Sequence, residues 1–327
     1  MDTQLLEEWV KHFEAIGRHN REKLDSLEQL FDCFEKEHIE SLPLKGMDLF
    51  LRGAYRSKGL RPSCDVDLLV RREDLPKIDA LLQREGFTPR SYGGNILTKS
   101  FADESLDYFS VRDQLILDFI WSIWYLDSPK FYWDRCLERE TPLGRKKLLH
   151  PEDALLYMIV YVVAHRGNLS SLFVQDLEAF LKCEGNLIEW TRWSQEVKHL
   201  RLATPVYHGL KYACEKGLVL IPSQVLEELT PRSLSERGLL WSYSKIVQEK
   251  RKVGLYSYLL TWVGAPTWRA KGKLLRRAFL PSREFVELRQ GKTSLWKRFL
   301  AGIVRPFRIL VRSFFIIPKE LVRFFLG

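Results

Sequence analysis

Two aspartates separated by one residue have the types and spacing that best fit a chemical role in this sequence. Asp65 and Asp67 stand at the start of a short apolar run, 68–70. In a strand their side chains would point to the same face, about 6–7 Å apart. Two carboxylates that close repel each other unless a cation lies between them, and Mg²⁺ is a hard cation that proteins hold with one or two carboxylates. The pair therefore indicates either a magnesium site or a solvated strand edge or turn, where aspartates are also common.

The elements around the pair favour the magnesium site. Leu68, Leu69 and Val70 have the pattern of a buried strand, so the two carboxylates would stand at the end of a core element. Upstream, Lys45-Gly46 ends another apolar run and opens a predicted helix. A glycine at a strand-to-helix junction lets a phosphate approach the backbone and the helix N-terminus. The sequence thus predicts a phosphate-binding turn beside the acidic strand.

The order of these residues resembles a known family. Leu44-Lys45-Gly46, Tyr55 and Arg61 precede the run 65–70, which reads Asp-Val-Asp-Leu-Leu-Val. This ordered set is similar to that of uncharacterised bacterial nucleotidyltransferases, a branch of the superfamily of DNA polymerase β. The resemblance covers about residues 40–285 and is far more specific than an isolated Asp-x-Asp.

The resemblance implies a reaction and a third carboxylate. Asp118, within the run 115–121, stands where the family carries an acid on a neighbouring strand. With Asp65 and Asp67 it would hold two Mg²⁺ ions and transfer an NMP from ATP or another NTP to a hydroxyl acceptor. The acceptor (a small molecule, a glycan precursor or a protein) is not identified. Ile120 replaces a histidine of the family pattern, and Asp107 is interpreted as a hairpin residue rather than a ligand.

The resemblance also implies a nucleotide-binding set. Its members are Lys45, Gly46, Arg61 and Ser63. Lys45 would neutralise phosphate charge with its compact ammonium, and Arg61 would do so with its planar guanidinium, which can donate two parallel hydrogen bonds. The alternative for Lys45 is that it turns away into an ion pair. Met47 departs from the superfamily, which has a small residue or a serine hydroxyl there, so the grip on the triphosphate would be weaker or built differently.

Two later residues are candidates for the acceptor side of the cleft. His165 and Asp176 lie in a predicted helical region that also resembles the family. The alternative for His165 is a histidine at a helix C-terminus, where the helix dipole favours its charge.

The expected fold class is α+β, with a polymerase β-like core in which helices flank a mixed sheet. We expect two N-terminal helices at 1–38, the nucleotidyltransferase core at 39–128, a helical domain at 129–290 and a basic amphipathic tail at 291–327. Within the core, we expect a helix that ends at about residue 56, strands at 96–101, 106–111 and 115–121, and hairpin turns at 93–94 and 112–113. At 327 residues the chain is long enough for more than one domain.

Positive charge is concentrated in the tail. Residues 292–327 carry eight basic residues and one acidic residue, which accounts for +7 of the net charge of +9. The whole protein is therefore not interpreted as nucleic-acid-binding. On a helical wheel six of the basic residues of 296–326 form one face and apolar residues most of the rest, which is typical of a helix lying on a membrane surface. Docking on protein is the alternative, and liposome flotation of the full chain against one ending at Gln290 distinguishes them.

Cysteine usage and the N-terminus bear on location. The five cysteines are scattered without a Cys-x-x-Cys pair, which argues against zinc and disulfide frameworks. The charged N-terminus lacks the apolar region of a signal peptide. We therefore expect a cytoplasmic protein, held by its tail at the inner face of the membrane if the tail binds lipid. The rival to an enzyme is a non-catalytic or antitoxin-like protein that binds a nucleotide or a partner with the same fold.

Overall fold

The computed structural model describes residues 3–63, 65–89, 104–112, 115–123, 125–126, 128–166, 169–217, 220–248, 262, 265 and 267–279. Its helices are α1 (Thr3–Lys36), α2 (Lys45–Leu51), α3 (Leu75–Arg84), α4 (Lys130–Arg135), α5 (Pro151–Val160), α6 (Ser171–Glu184), α7 (Trp190–His199), α8 (Ala203–Glu215), α9 (Ser223–Leu229), α10 (Leu234–Gln248) and α11 (Trp268–Phe279). A π-helical segment, Tyr161–Arg166, continues α5.

A five-stranded mixed sheet forms the centre of the core. Its strands are β1 (Ser41–Leu44), β2 (Val66–Val70), β3 (Thr88–Pro89), β4 (Glu104–Ser110) and β5 (Leu115–Ser122), in the order β1-β2-β5-β4-β3. β2 and β5 are parallel, and the other neighbouring pairs are antiparallel. This mixed sheet with flanking helices confirms the predicted α+β class.

β2 is buried on both faces and divides the apolar core in two. Val66 and Leu68 belong to the cluster that α1 and α3 complete, whereas Leu69 belongs to the cluster formed with α5 and α6. Because successive strand residues alternate between faces, Asp67 shares the face of Leu69. The acidic face of the sheet is therefore the face that the helical region covers.

The N-terminal segment is one helix, and the prediction of two helices at 1–38 was wrong. α1 runs without interruption from Thr3 to Lys36. No proline breaks it, and Gly17, which would weaken a helix interior, is buried against Gly59. The continuous helix spans about 50 Å along its axis, which lets it contact segments that are far apart in the sequence.

The region predicted to be mainly helical also contains a β-hairpin. β6 (Leu137–Thr141) pairs with β7 (Gly144–Leu148), and opposite charges face each other at Glu138↔Lys147 and Glu140↔Arg145. Gly144 has φ +76°, which the tight turn requires and a side chain would oppose. The hairpin has few apolar residues, so its sequence shows neither the apolar stripe of a helix nor the apolar alternation of a strand.

Other predictions have mixed outcomes. α2 ends at Leu51, several residues before the predicted end near residue 56. The predicted strand at 96–101, the turn at 93–94 and the tail at 291–327 lie outside the described residues. The domain boundaries remain a prediction. Among the described helices, none combines the length and the apolar composition needed to cross a bilayer.

Candidate active site

Three aspartates form a row across three neighbouring strands. Asp67 of β2 is the register partner of Asp118 of β5, and Asp118 in turn faces Asp107 of β4. Residues directly opposite each other in a sheet project to the same face, so the three side chains form one line. Asp67 and Asp107 are buried and Asp118 is half-buried. We call Asp67, Asp118 and Asp107 the aspartate row.

Asp107 was not expected in this row, although the sequence contained a signal for it. A hairpin that turns at residues 112–113, as predicted, pairs residue 107 with residue 118. The structure has that register and places Asp107 beside Asp118. Register counting from the turn would have identified it.

Asp65 lies one residue before β2 and is half-buried. The Ser63 hydroxyl donates to the Asp65 backbone carbonyl at 3.2 Å, and the Ser63 carbonyl accepts from Nζ of Lys23 at 2.5 Å. In this structure the contacts of Ser63 therefore stabilise the turn that immediately precedes β2.

Lys45 provides the cation that faces the aspartate row. Its ammonium forms an ion pair with Asp67 and lies 3.8 Å from the ring centroid of Tyr161, the first residue of the π-helical segment. Lys45 has φ +54°, a left-handed conformation that is costly for a residue with a side chain and is often found at functional sites. The ion pair is made with a residue of the aspartate row, so Lys45 does not turn away from the site.

The charge of Lys45 is stabilised by its surroundings. Burial alone would lower the pKa of Lys45, but the charge of Asp67, the contact with Tyr161 and the charge of Asp118 together raise it above its ordinary value. Lys45 is therefore positively charged at neutral pH and partly neutralises the aspartate row.

Arg61 and Asp176 form an ion pair. The sequence had suggested separate roles for them, nucleotide binding for Arg61 and the acceptor side for Asp176. Nε and Nη2 of Arg61 donate to the two carboxylate oxygens of Asp176 at 2.7 and 2.9 Å. The Tyr55 hydroxyl donates to the same carboxylate at 2.5 Å. Burial and the Asp176 charge raise the pKa of Tyr55, so the phenol keeps its proton. Asp176 of α6 is thus engaged by two residues of the core.

Gly46 brings the Arg61 guanidinium against the backbone. A Cβ at position 46 would lie 2.2 Å from Nη1 of Arg61, so only glycine leaves room for this approach. The Met47 side chain, in contrast, is buried in the cluster with α1 and α3, so it presents no polar group at this turn. His165 lies in the π-helical segment, and its side chain is outside the described part of the chain.

Helix α1 supports the loop before the acidic strand, which the sequence reasoning missed. Nδ2 of Asn20 donates to the carbonyls of Lys58 and Arg61 at 2.6 and 2.7 Å. Lys23, one turn further along α1, reaches Ser63 as described above. Polar residues within an otherwise apolar helix stripe were the available signal, because a buried polar side chain requires a partner.

The aspartates have the right chemistry for Mg²⁺. Carboxylate oxygens are hard ligands, and Mg²⁺ completes its shell with water and substrate phosphate, so Asp67 and Asp118 in register would suffice as the protein's share. In the ranges that the structure describes, no group of three or more His, Cys, Asp or Glu side chains is gathered as a metal site. A magnesium ion held by Asp67 and Asp118 would take its remaining ligands from water and substrate.

Comparisons with known proteins found a matching family model. A model of the family described as uncharacterised nucleotidyltransferase matches residues 1–215. No curated protein matches the chain.

Three solved structures resemble the chain at low identity. Lincosamide antibiotic adenylyltransferase LnuA, lincomycin-bound, is 14% identical with a TM-score of 0.36, covering 48% of this chain and 94% of that chain. Antibiotic-resistance factor ANT(2'')-Ia is 12% identical with a TM-score of 0.40, covering 60% and 99%. An antigenic nucleotidyltransferase-like protein from Paracoccidioides brasiliensis is 14% identical with a TM-score of 0.41, covering 63% and 93%.

Proposed function

The chain belongs to the family of uncharacterised nucleotidyltransferases, and from this premise we propose that it transfers an NMP from an NTP to a hydroxyl acceptor with Mg²⁺. The observation that carries the proposal is the register of Asp67 with Asp118 on adjacent parallel strands. This register places the two carboxylates on one face of the sheet, next to the turn between β1 and α2 that contains Gly46.

Asp65, Asp67 and Asp118 are the proposed ligands of two Mg²⁺ ions. Such a pair of ions stabilises the attacking and the leaving oxygens of an in-line phosphoryl displacement. Asp118, which is half-buried, is the proposed group that helps to take the proton from the acceptor hydroxyl. Asp107 is fully buried beside Asp118; it completes the row and is not one of the proposed ligands.

Lys45 would exchange partners when Mg²⁺ and NTP bind. With a metal ion bound, Asp67 would no longer be available to the ammonium, because both cations compete for the same carboxylate. The ammonium would then turn to an oxygen of the triphosphate. Tyr161, which already holds the ammonium with its ring face, would keep Lys45 near the site during this exchange.

Gly46 and Arg61 would act together on phosphate. Since the guanidinium lies against Gly46, a phosphate oxygen at the Gly46 N–H would also meet a cation. Asp176 and Tyr55 orient that guanidinium, so Asp176 supports the nucleotide side in addition to the acceptor-side role proposed for it with His165. Ser63 would contribute through the turn that it holds.

A second candidate is a protein of the same fold that binds a nucleotide or a partner without catalysis. The observation that favours it is the ion pair of Lys45 with Asp67, which neutralises part of the row without a metal. Absence of Mg²⁺-dependent binding of ATP or GTP at millimolar concentration would support the partner-binding form of this candidate, and binding without any transfer of label would support its nucleotide-binding form.

The test of the proposal is the variant Asp67→Asn. It keeps the size of the side chain but removes the charge that a metal ligand needs, so Mg²⁺-dependent transfer of label from NTP should fall by about 100-fold or more. Asp134→Asn, the same change at an exposed position of α4, is the control and should retain wild-type transfer. A folded Asp67→Asn protein with full activity would refute the assignment.

A further inference from the structure

A cavity lies at the carboxyl ends of the two parallel strands, β2 and β5. It has a volume of about 440 Å³ and is bounded by Val70 at the end of β2, Trp121 and Ser122 at the end of β5, and residues from α4 and α11. Asp67 precedes Arg71 by four residues, which places the cavity about 13 Å along the strand from the aspartate row. We call it the Arg72 cavity, after the exposed arginine at its rim.

The charges that line the Arg72 cavity are mainly positive. Arg71, Arg72, Lys130 and Lys273 contribute four cations, and Glu73 contributes one anion. Glu40 offsets Arg71, since the two form an ion pair at 2.8 Å. Positive side chains therefore outnumber negative ones in the lining, which suits an anion such as a phosphate.

Two of the cations are held in place by contacts within the protein. The Arg71 guanidinium stacks on Trp133, 4.5 Å from the ring centroid, and the Lys273 ammonium donates to the Leu126 carbonyl at 3.0 Å. These groups would lose little conformational freedom when a ligand binds. Arg72 and Lys130 are exposed at the rim of the cavity.

The remaining walls are apolar or carry hydroxyls. Val70, Trp121 and Trp133 are buried at the base, and Ser122 and Ser128 add hydroxyl groups. The lining is therefore mixed, with aromatic and apolar side chains at the base and charged or hydroxyl groups around them. The cavity is larger than a bare phosphate ion needs, so there is room for a small organic body.

We propose that the Arg72 cavity binds a small phosphate ester, with the phosphate at Arg72, Lys130 and Lys273 and its organic body against Trp121 and Trp133. This site is separate from the aspartate row and does not depend on the nucleotidyltransferase proposal. Its ligand is a substrate part or a regulator that carries one phosphate group.

The experiment is calorimetric titration of the full chain with ribose 5-phosphate and with inorganic phosphate, without divalent metal and at physiological salt, which screens weak surface binding. The test variant is Arg72→Glu with Lys130→Glu, and the control is Lys77→Glu with Lys216→Glu. Both variants change the net charge equally, and the control positions are exposed and outside the cavity. Circular dichroism checks folding, and the single variant Lys130→Glu replaces the double one if it does not fold.

The expected result is binding of ribose 5-phosphate to wild type in about the millimolar range or tighter, weakened about tenfold or more in the test variant and less than about twofold in the control. Tighter binding of ribose 5-phosphate than of inorganic phosphate supports the ester, whereas equal affinities overturn the role of the organic body. No binding to wild type, or equal loss in both double variants, overturns the site itself.

Discussion

At the scale of single residues, Asp67 is the point where the opposing charges of the candidate site meet. It faces Asp118 across the sheet and pairs with Lys45. The ammonium in turn is held by the Tyr161 ring, and its backbone is in the left-handed region. Lys45 thus provides the positive charge that a metal ion would otherwise provide. Its left-handed backbone conformation costs free energy, which the rest of the structure must offset.

The variant Lys45→Met tests this competition. Methionine has a similar length without charge, so Mg²⁺ alone should bind about tenfold tighter, because no ammonium competes for Asp67. The Michaelis constant for NTP should rise by a similar factor, because a phosphate contact is lost. Calorimetry with Mg²⁺ and steady-state kinetics measure the two effects. Unchanged Mg²⁺ affinity would show that Lys45 does not compete, and Lys77→Met is the control at an exposed site.

At the scale of elements, α1 fixes the loop that leads into β2. Asn20 binds two carbonyls of this loop and Lys23 binds a third. These are buried contacts between segments about 40 residues apart, so the helix determines where the chain enters the acidic strand. A site built in this way depends on a helix that contributes no residue to the chemistry.

The variant Asn20→Ala should destabilise the protein and reduce its activity together. Two backbone carbonyls lose their donor, which costs about 1–3 kcal/mol of unfolding free energy. Urea denaturation measures the loss. His19→Ala, one residue earlier on the exposed side of α1, should change stability by less than about 0.5 kcal/mol. Equal losses in both variants would mean that α1 is stabilised by its apolar stripe alone.

The packing of α8 on α10 should make stability depend on pH. His208 is stacked on Tyr243 with 6.0 Å between ring centroids. Burial and the charge of Lys211 lower the pKa of His208 to about 4. The unfolded chain, with a histidine pKa near 6.5, takes up this proton first.

Stability from His208 is therefore present above about pH 6.5 and lost as the pH falls towards 4. The variant His208→Phe keeps a ring against Tyr243 but cannot be protonated. Its unfolding free energy should fall less than that of wild type between pH 6.5 and 4, as thermal melts across this range would measure. Parallel curves for the two proteins would contradict the assignment.

At the scale of the whole molecule, Arg61, Asp176 and Tyr55 join the loop of the core to helix α6. The three side chains form a buried, hydrogen-bonded group across 115 residues of sequence. The group lies beside Gly46, so the contact that joins the two parts of the chain is also the boundary of the proposed phosphate site. The relative position of these parts would thus be coupled to nucleotide binding.

The variant Asp176→Ala should be among the most damaging single changes in this region. It leaves the Arg61 guanidinium without its carboxylate in a buried position, which costs about 3–5 kcal/mol. Tyr55→Phe removes one hydrogen bond and should cost about 1 kcal/mol. Chemical denaturation measures both. A loss from Asp176→Ala no larger than that from Tyr55→Phe would contradict a structural role for the ion pair.

The local features of the fold were predictable, and the distant contacts were not. Alternation along 65–70 predicted the acidic strand, and the turn at 112–113 contained the register that places Asp107. The pair of Arg61 with Asp176 has no local signal, because the two residues are 115 positions apart. The β6–β7 hairpin was missed because its alternating charges give neither a helical stripe nor an apolar strand.

The most direct measurement of the central claim compares ATP labelled at the α-phosphate with ATP labelled at the γ-phosphate, in reactions of wild type with Mg²⁺ and a cell extract. Transfer of an NMP predicts that the α label appears on an acceptor and the γ label appears in pyrophosphate, with both signals lost in Asp67→Asn. Label on the acceptor from the γ-phosphate would contradict the proposed reaction. No transfer from any of the four NTPs would support the non-catalytic alternative.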